Sequence, residues 1–402
     1  MLGKVLLLED IHPIAKEKFQ EGGFEVESLK HSPSEKELYN RIKDVSILGI
    51  RSKTNISEEF LNYAGNLLAL GAYCIGTNQI NIPECSKRGV CVFNDPISNT
   101  RSVAELAMGE IIMLLRGIFN KSISLHKGIW NKSSENSVEV RGKNLGIIGY
   151  GKIGSQLSTI AESLGMNVYY YDLQRKVNYG NAKKCNSLED LFGISDIVTL
   201  HVDGNKNNRG FFGKREFEMM KDKSYFLNLS RGFVVDEKAL AEYLDKGKIL
   251  GAAIDVFETE PSSNNNLFKS VLQNKKNVIL TPHIGGNTLE AQKDIAMSVS
   301  DNLLSFYIKG DSASSLNFPN PDYKGDFNQN RVRFSHVHKN IPGILAQITN
   351  TISSYNLNIS NQKLDTKGDL GYVIGEIEGN VPSQLLKKLE NVNGTIRFRI
   401  LY

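Results

Sequence analysis

Residues 145–154 read Leu-Gly-Ile-Ile-Gly-Tyr-Gly-Lys-Ile-Gly, an apolar run that leads directly into the spacing G-x-G-x-x-G. Few short patterns restrict a fold so strongly. Gly149 allows a strand to turn sharply into a helix, Gly151 leaves the backbone open to a pyrophosphate, and Gly154 lets helix and strand close together. The helix N-terminus, with its unpaired N–H groups, then faces the phosphates. A helix is predicted over 156–164. Val168-Tyr-Tyr-Tyr-Asp172 follows as a second strand ending in an acid suited to a ribose diol. A carboxylate there repels a 2′-phosphate and so favours NAD over NADP, whereas Arg175 and Lys176 pull the other way. The bland alternative is a glycine-rich turn in an unrelated α/β domain.

The rest of the chain repeats the same alternation of strand and helix. Apolar runs at 4–8, 45–50, 67–72 and 90–93, with a helix at 13–22, predict a parallel sheet covered on its faces. A long helix is predicted over 99–116, with Val103, Leu106, Ala107, Ile111, Met113 and Leu114 on one face. Buried strands are expected at 196–202, 225–229, 252–256 and 277–280, completing a doubly wound domain over 99–285. Another amphipathic helix is expected over 286–310. Residues 311–330 are rich in Ser, Asn, Pro and Gly and read as a connecting segment. The last 72 residues or so carry the order β-α-β-β-α-β, with strands at 331–338, 358–365, 371–378 and 395–401 and helices at 342–355 and 382–390. That order is ferredoxin-like. So small a module buries little by itself, and association with a second copy is expected.

Composition narrows the classes of function. At 402 residues the chain has room for two or three domains. Its net charge of +4 and the lack of a basic block argue against nucleic acid or a membrane surface as partner. No apolar stretch approaches the roughly 20 residues that span a bilayer, and the start has no signal-peptide pattern. Cys74, Cys85, Cys91 and Cys185 form no C-x-x-C pair; no metal site is expected, and reduced thiols point to the cytoplasm.

Three chemistry-bearing residues follow predicted strands. Arg231 comes after Leu227-Asn-Leu-Ser, Glu260 after Ile254-Asp-Val-Phe-Glu-Thr, and His283 after Leu280-Thr-Pro. Ligands of open α/β sheets gather beyond the carboxyl ends of the strands. An imidazole to take a hydroxyl proton, a carboxylate to orient and charge it, and a guanidinium for a substrate carboxylate are what hydride removal from a hydroxy acid needs. Taken singly, each also suits an ordinary loop. Together, in one nucleotide-binding domain, they favour an oxidoreductase.

With these residues in view, the chain resembles the bacterial D-3-phosphoglycerate dehydrogenases, within the D-isomer-specific 2-hydroxyacid dehydrogenases. The segments that carry the likeness are Gly71-Ala-Tyr-Cys-Ile-Gly-Thr-Asn-Gln79, Ser98-Asn-Thr-Arg-Ser-Val-Ala-Glu105, residues 145–154, Asp255-Val-Phe-Glu, Thr281-Pro-His-Ile-Gly-Gly286 and Gly394-Thr-Ile-Arg. The resemblance implies two Rossmann-like doubly wound parallel-sheet domains plus a C-terminal ACT domain. It divides the chain into a discontinuous substrate-binding domain (1–98 and 286–316), an NAD-binding domain (99–285), a linker (317–330) and a regulatory domain (331–402). It also implies Arg231, Glu260 and His283 as the catalytic set, with cofactor contacts at Gly149, Gly151, Lys152, Ile153, Gly154, Asp172, Leu229, Ser230, Arg231, Asp255, His283 and Gly286.

For the substrate, the resemblance points to Arg51, Ser52 and Lys53 as a grip on the phosphate of 3-phosphoglycerate. Lys53 departs from the family, where the second cation is usually arginine; lysine neutralises charge but lacks the planar fork. In the C-terminal module His336, His338, Asn340 and Asn358 correspond to a site for L-serine as effector. Trp130 and Lys132 fall in a segment of interdomain and anion contacts, although Trp130 equally suits simple packing. A homo-oligomer, a dimer of dimers, is implied as well. Two other readings stay open: oxidation or reduction of another 2-hydroxy or 2-keto acid such as 2-oxoglutarate, and a nucleotide-sensing corepressor-like protein without turnover.

Overall fold

The computed structural model describes residues 2–261, 266–323, 325, 328 and 330–401. Contacts divide it into two compact units. One comprises Met1–Pro96 with Gln292–Tyr402, and the other Ile97–Ala291.

The first unit begins with a parallel five-stranded sheet. Its strands are β1 (Lys4–Leu7), β2 (Glu25–Ser28), β3 (Val45–Ile50), β4 (Ala69–Ala72) and β5 (Cys91–Asn94), in the order β2-β1-β3-β4-β5. Covered on both faces, β1, β3, β4 and β5 are near-continuous apolar runs. Val5, Leu6, Ile47, Leu48, Ala69, Leu70, Cys91 and Val92 are all fully enclosed. β2 (Glu-Val-Glu-Ser) was not expected as a strand. As an edge strand it buries little, so its sequence carries no apolar run.

The second unit holds a seven-stranded parallel sheet. Its strands are β6 (Asn144–Ile148), β7 (Asn167–Tyr171), β8 (Lys183–Lys184), β9 (Ile197–Leu200), β10 (Ser224–Asn228), β11 (Ile249–Ile254) and β12 (Val278–Leu280). The order β12-β11-β10-β9-β6-β7-β8 reverses direction at β6, the switch point where such sheets bind nucleotides. The helix Thr100–Arg116 lays Ala104, Ala107, Ile111 and Leu114 into the core against β10, β11 and β12. The helix after the glycine turn spans Lys152–Ser163 and so begins inside the motif, four residues before the predicted start.

The C-terminal module has four antiparallel strands, β13 (Arg331–Lys339), β14 (Ile359–Lys367), β15 (Leu370–Glu378) and β16 (Thr395–Ile400), in the order β14-β15-β13-β16. Two helices, Ile344–Ser353 and Ser383–Glu390, cover one face through Ile344, Ile348, Ile352, Leu385 and Leu389. The opposite face is also covered within the chain. Val337, Leu370, Tyr372 and Ile374 share a core with Val299, Leu303 and Phe306 of the helix Leu289–Lys309.

The start of the segment read as a linker, 317–330, is anchored to the first unit. Phe318 is 2 % exposed, and the Asn317 side chain accepts from Val92 N and donates to Val90 O. Its Asn, Ser and Pro residues serve as specific hydrogen-bonding and turning points, a use that composition does not distinguish from loop. No helix among the described residues is long and apolar enough to cross a membrane.

Candidate active site

The glycine turn has the geometry its spacing requires. Gly149 adopts φ +91°, and a Cβ there would lie 2.5 Å from the His201 carbonyl oxygen, so neither an L side chain's backbone preference nor its volume is tolerated. A Cβ on Gly154 would meet the Gly149 carbonyl at 2.4 Å, whereas one on Gly151 would enter open space. Gly151 caps the helix without any side-chain hydrogen bond, so its first N–H groups remain available to an anion. Lys152 is exposed and Ile153 half-buried beside that end. Asp172 is held in place as Oδ2 accepts from Tyr150 N and Oδ1 from Gln174 N, at 2.9 and 2.8 Å. These residues fit NAD: a bare helix end for the pyrophosphate and a fixed carboxylate at the end of β7 for the ribose.

Beyond β10, β11 and β12, three loops bring the predicted chemistry together. His283 Nδ1 lies 2.8 Å from Glu260 Oε2 and 3.1 Å from Oε1. With Nδ1–H donated to the carboxylate, Nε2 is left as the proton acceptor. The hydrogen bond that His283 donates to Glu260 raises its pKa above the ordinary imidazole value. Burial opposes this, the charges of Glu260 and Asp255 assist it, and the Arg231 charge lowers it. For Glu260, burial raises the acid, but the bond and charge of His283, the Phe257 N–H and Arg231 outweigh it and leave the carboxyl below its usual value. The pair is thus built to carry imidazolium and carboxylate together.

His283 adopts φ +54°, a left-handed conformation uncommon for a non-glycine residue. Its N–H donates to the Asp255 carbonyl, while the Asp255 carboxylate accepts from Thr281 Oγ1, Ile284 N and Gly285 N at 2.6–2.8 Å. Asp255, 1 % exposed, therefore binds the strained loop from beneath. Arg231 is set by a different device. Asn228 Nδ2 donates to the Arg231 carbonyl, and Asn228 Oδ1 accepts from Ser230 N and Oγ. A Cβ on the adjacent Gly232 would lie 1.8 Å from the Phe257 backbone, so only glycine lets the Arg231 turn pack against the loop that leads to Glu260. Leu229 and Ser230 are buried in that turn, and Gly286 abuts the Asn99 side chain.

Sequence reasoning missed Asn228, Thr281 and Glu110. Glu110 lies in the helix Thr100–Arg116, 2 % exposed, and neither carboxyl oxygen has a hydrogen-bond partner among the described residues. Burial, with the nearby Asp255 charge, pushes this acid up to about 8. An acid within an otherwise apolar helical stripe was the available signal.

In the other unit, Arg51 is half-buried and Ser52 and Lys53 are exposed, on the loop that follows β3. In the C-terminal module His336 and His338 share a face of β13 with Nδ1 atoms 3.3 Å apart, and both are buried. Asn340 bonds Gly368 O at one end of the sheet, whereas Asn358 bonds Glu378 at the other. Within one chain these two asparagines do not meet. Trp130 is 79 % exposed and Lys132 is exposed too.

The fold, the nucleotide turn and the imidazole–carboxylate–guanidinium set define an NAD-dependent 2-hydroxy acid dehydrogenase. Residues 108–285 match the D-isomer specific 2-hydroxyacid dehydrogenase, NAD binding domain, and residues 334–397 match the AHAS small subunit-like ACT domain. The D-lactate dehydrogenase of Aquifex aeolicus, solved with NAD and lactic acid, superposes with TM-score 0.67 at 25 % identity over 79 % of this chain and 99 % of that one. D-3-phosphoglycerate dehydrogenases are more similar in sequence. That of Dictyostelium discoideum is 46 % identical, and that of Haemophilus influenzae 45 %, each over 99 % of this chain and 97 % of the relative. The chain belongs to the D-3-phosphoglycerate dehydrogenase family.

Proposed function

We propose that this enzyme oxidises 3-phospho-D-glycerate to 3-phosphohydroxypyruvate, the first step toward L-serine. The observation that carries the reading is the His283–Glu260 contact of 2.8 Å beyond the carboxyl ends of the nucleotide-binding sheet. NAD, when bound, supplies the hydride acceptor. His283 Nε2 takes the proton of the C2 hydroxyl as the C–H electron pair leaves with hydride and the C=O bond forms. Glu260 stabilises the resulting imidazolium, Arg231 holds the substrate carboxylate, and Arg51, Ser52 and Lys53 hold the phosphate. The cofactor contacts are assigned to Gly149, Gly151, Lys152, Ile153, Gly154, Asp172, Leu229, Ser230, Asp255 and Gly286. NADH formation with 3-phosphoglycerate, compared with D-glycerate and 2-hydroxyglutarate, tests this. A clear preference for the phosphorylated acid is expected. Equal rates on all three would overturn the substrate assignment, and absence of turnover alongside tight NADH binding would favour the corepressor-like reading.

Residues 331–402 are read as a regulatory domain that takes L-serine through His336, His338, Asn340 and Asn358, and 1–98 with 286–316 as the substrate-binding domain. Asn340 and Asn358 stand at opposite ends of the four-stranded sheet, whose nine-residue strands put them about 25 Å apart at ~3.3 Å per residue. One small amino acid reaches both only if two copies of the chain contribute. The exposed apolar residues Ile118, Phe119, Ile123, Leu125, Ile129 and Trp130 offer a second self-association surface, which favours a dimer of dimers. Four free cysteines fit a cytoplasmic enzyme. Titration of activity with L-serine is expected to show inhibition that His338→Ala abolishes; full activity at saturating serine would refute the effector assignment.

A further inference from the structure

Directly after β1, Glu9 and Asp10 adopt φ +67° and +56°, two consecutive non-glycine residues in the left-handed region. Such conformations persist only where surrounding interactions enforce them. Here they turn the Glu9 side chain inward to 7 % exposure. Both oxygens of its carboxylate are engaged: Oε2 accepts from Lys53 N at 2.9 Å and Oε1 from Thr54 N at 2.8 Å. The same loop is held at two further points, with Gln79 Nε2 donating to the Arg51 carbonyl at 2.6 Å and Ser32 Oγ lying 2.8 Å from Thr54 Oγ1.

Consecutive backbone N–H groups in a loop are a natural anion-binding cradle. In this loop two of them are already taken by an internal anion. The backbone therefore contributes little to holding a ligand's phosphate, and recognition falls to the side chains of Arg51, Ser52 and Lys53. Arg51 and Lys53 are long and rotamer-rich and Ser52 is short, so the reach of all three depends on how firmly the backbone beneath them is fixed.

We propose that Glu9 is a positioning residue for substrate specificity: its two-amide grip fixes the loop Arg51–Thr54 so that the side chains of Arg51, Ser52 and Lys53 converge on the phosphate of the substrate. This rests on the reading of that loop as the phosphate grip. Glu9 touches no reacting atom and acts only through the loop it holds. In Glu9→Gln the amide oxygen keeps one acceptor while its NH2 opposes the second N–H. In Glu9→Gly the carboxylate is lost but the left-handed backbone strain is relieved.

The test is steady-state kinetics of the full-length enzyme and these two variants on 3-phosphoglycerate and on D-glycerate, with thermal melting and NADH binding measured in parallel. Loss of a charged hydrogen bond of this kind corresponds to a KM for 3-phosphoglycerate raised about tenfold. The expected result is that rise in both variants, with kcat within about twofold, kcat/KM on D-glycerate retained, and Tm of Glu9→Gly not below that of Glu9→Gln. An unchanged KM, or kcat/KM reduced equally on both substrates, would leave Glu9 a purely structural residue and overturn the inference. If the unmodified enzyme itself does not distinguish the two acids, the phosphate-grip reading fails first and the inference with it.

Discussion

Two settings in this chain treat the same side chain in opposite ways. His283 stands on a strained, half-exposed loop against a carboxylate, and that partner draws its titration upward. His336 is enclosed in the C-terminal module, its Nε2 facing Leu389 O and Thr395 Oγ1 and its Nδ1 facing a second histidine. Burial, with the charge of His338, pushes His336 down to about 4, and burial lowers His338 as well. An imidazole that exchanges protons needs a counter-charge and access to the reacting molecule. One kept neutral by burial offers only fixed hydrogen-bonding geometry, which suits recognition of a ligand or stabilisation of a sheet.

The largest effect that would break this contrast is on turnover. His283→Ala removes the only proton acceptor assigned to the reaction and should lower kcat by about 10²–10⁴-fold while NADH binding persists. Stopped-flow or steady-state assays with a parallel binding titration check it. Near-normal kcat would place the acid–base chemistry elsewhere.

Next in size is the acid stability of the C-terminal module. An ordinary imidazole titrates near 6.5, and His336 does so only at about 4. The unfolded chain therefore binds a proton that the folded chain refuses. The stability this contributes is present above pH 6.5 and is lost as pH falls toward 4, on the order of 3 kcal/mol in all. Chemical denaturation at pH 7.5 and 4.5 should show this loss, and His336→Gln should flatten it. An unchanged pH dependence in the variant would assign the acid sensitivity to other groups.

How much of these two settings could be read from sequence differs for a physical reason. The glycine turn, Asp172 and the post-strand positions of Arg231, Glu260 and His283 were legible because each follows a strong local pattern: an apolar run, then a spacing set by backbone geometry. The two histidines on one face of β13 followed from strand periodicity in the same way. The polar supports were not legible. Asn228 bonds only within its own turn, a use that many polar residues after a strand could make; Thr281 bonds the Asp255 side chain, and Glu9 reaches a loop more than forty residues away. The partners of Thr281 and Glu9 are set by tertiary packing. β2 escaped because an edge strand needs no apolar run, and Phe318 because a single anchor inside a polar segment has no period.

Glu260→Gln sharpens the contrast at the active site alone. It keeps a hydrogen-bond acceptor for His283 but removes the charge that favours imidazolium. Oxidation needs the neutral imidazole, so its rate rises with pH through the His283 pKa. That pKa stands above its ordinary value because of Glu260. In the variant the rising limb of kcat/KM should move to lower pH, with a drop of about tenfold at the plateau from the unsupported imidazolium. A rising limb at the same pH would show that Glu260 does not set the proton affinity.

The smallest expected change lies on the loop proposed to hold the phosphate and asks whether a charge assigned only to holding a ligand behaves like one assigned to proton transfer. Lys53 is an exposed point charge where a planar fork would bond a phosphate twice. Lys53→Arg should lower KM for 3-phosphoglycerate by about two- to fivefold, since one added charged hydrogen bond is partly offset by ordering a long exposed side chain. Because the change acts on ground and transition states alike, kcat and the pH of the rising limb should stay fixed. Global analysis of kcat and KM across pH separates the two classes of residue. Movement of the limb in Lys53→Arg would mean that the phosphate loop and the imidazole are electrostatically coupled, and the division of labour between holding and proton transfer would then fail.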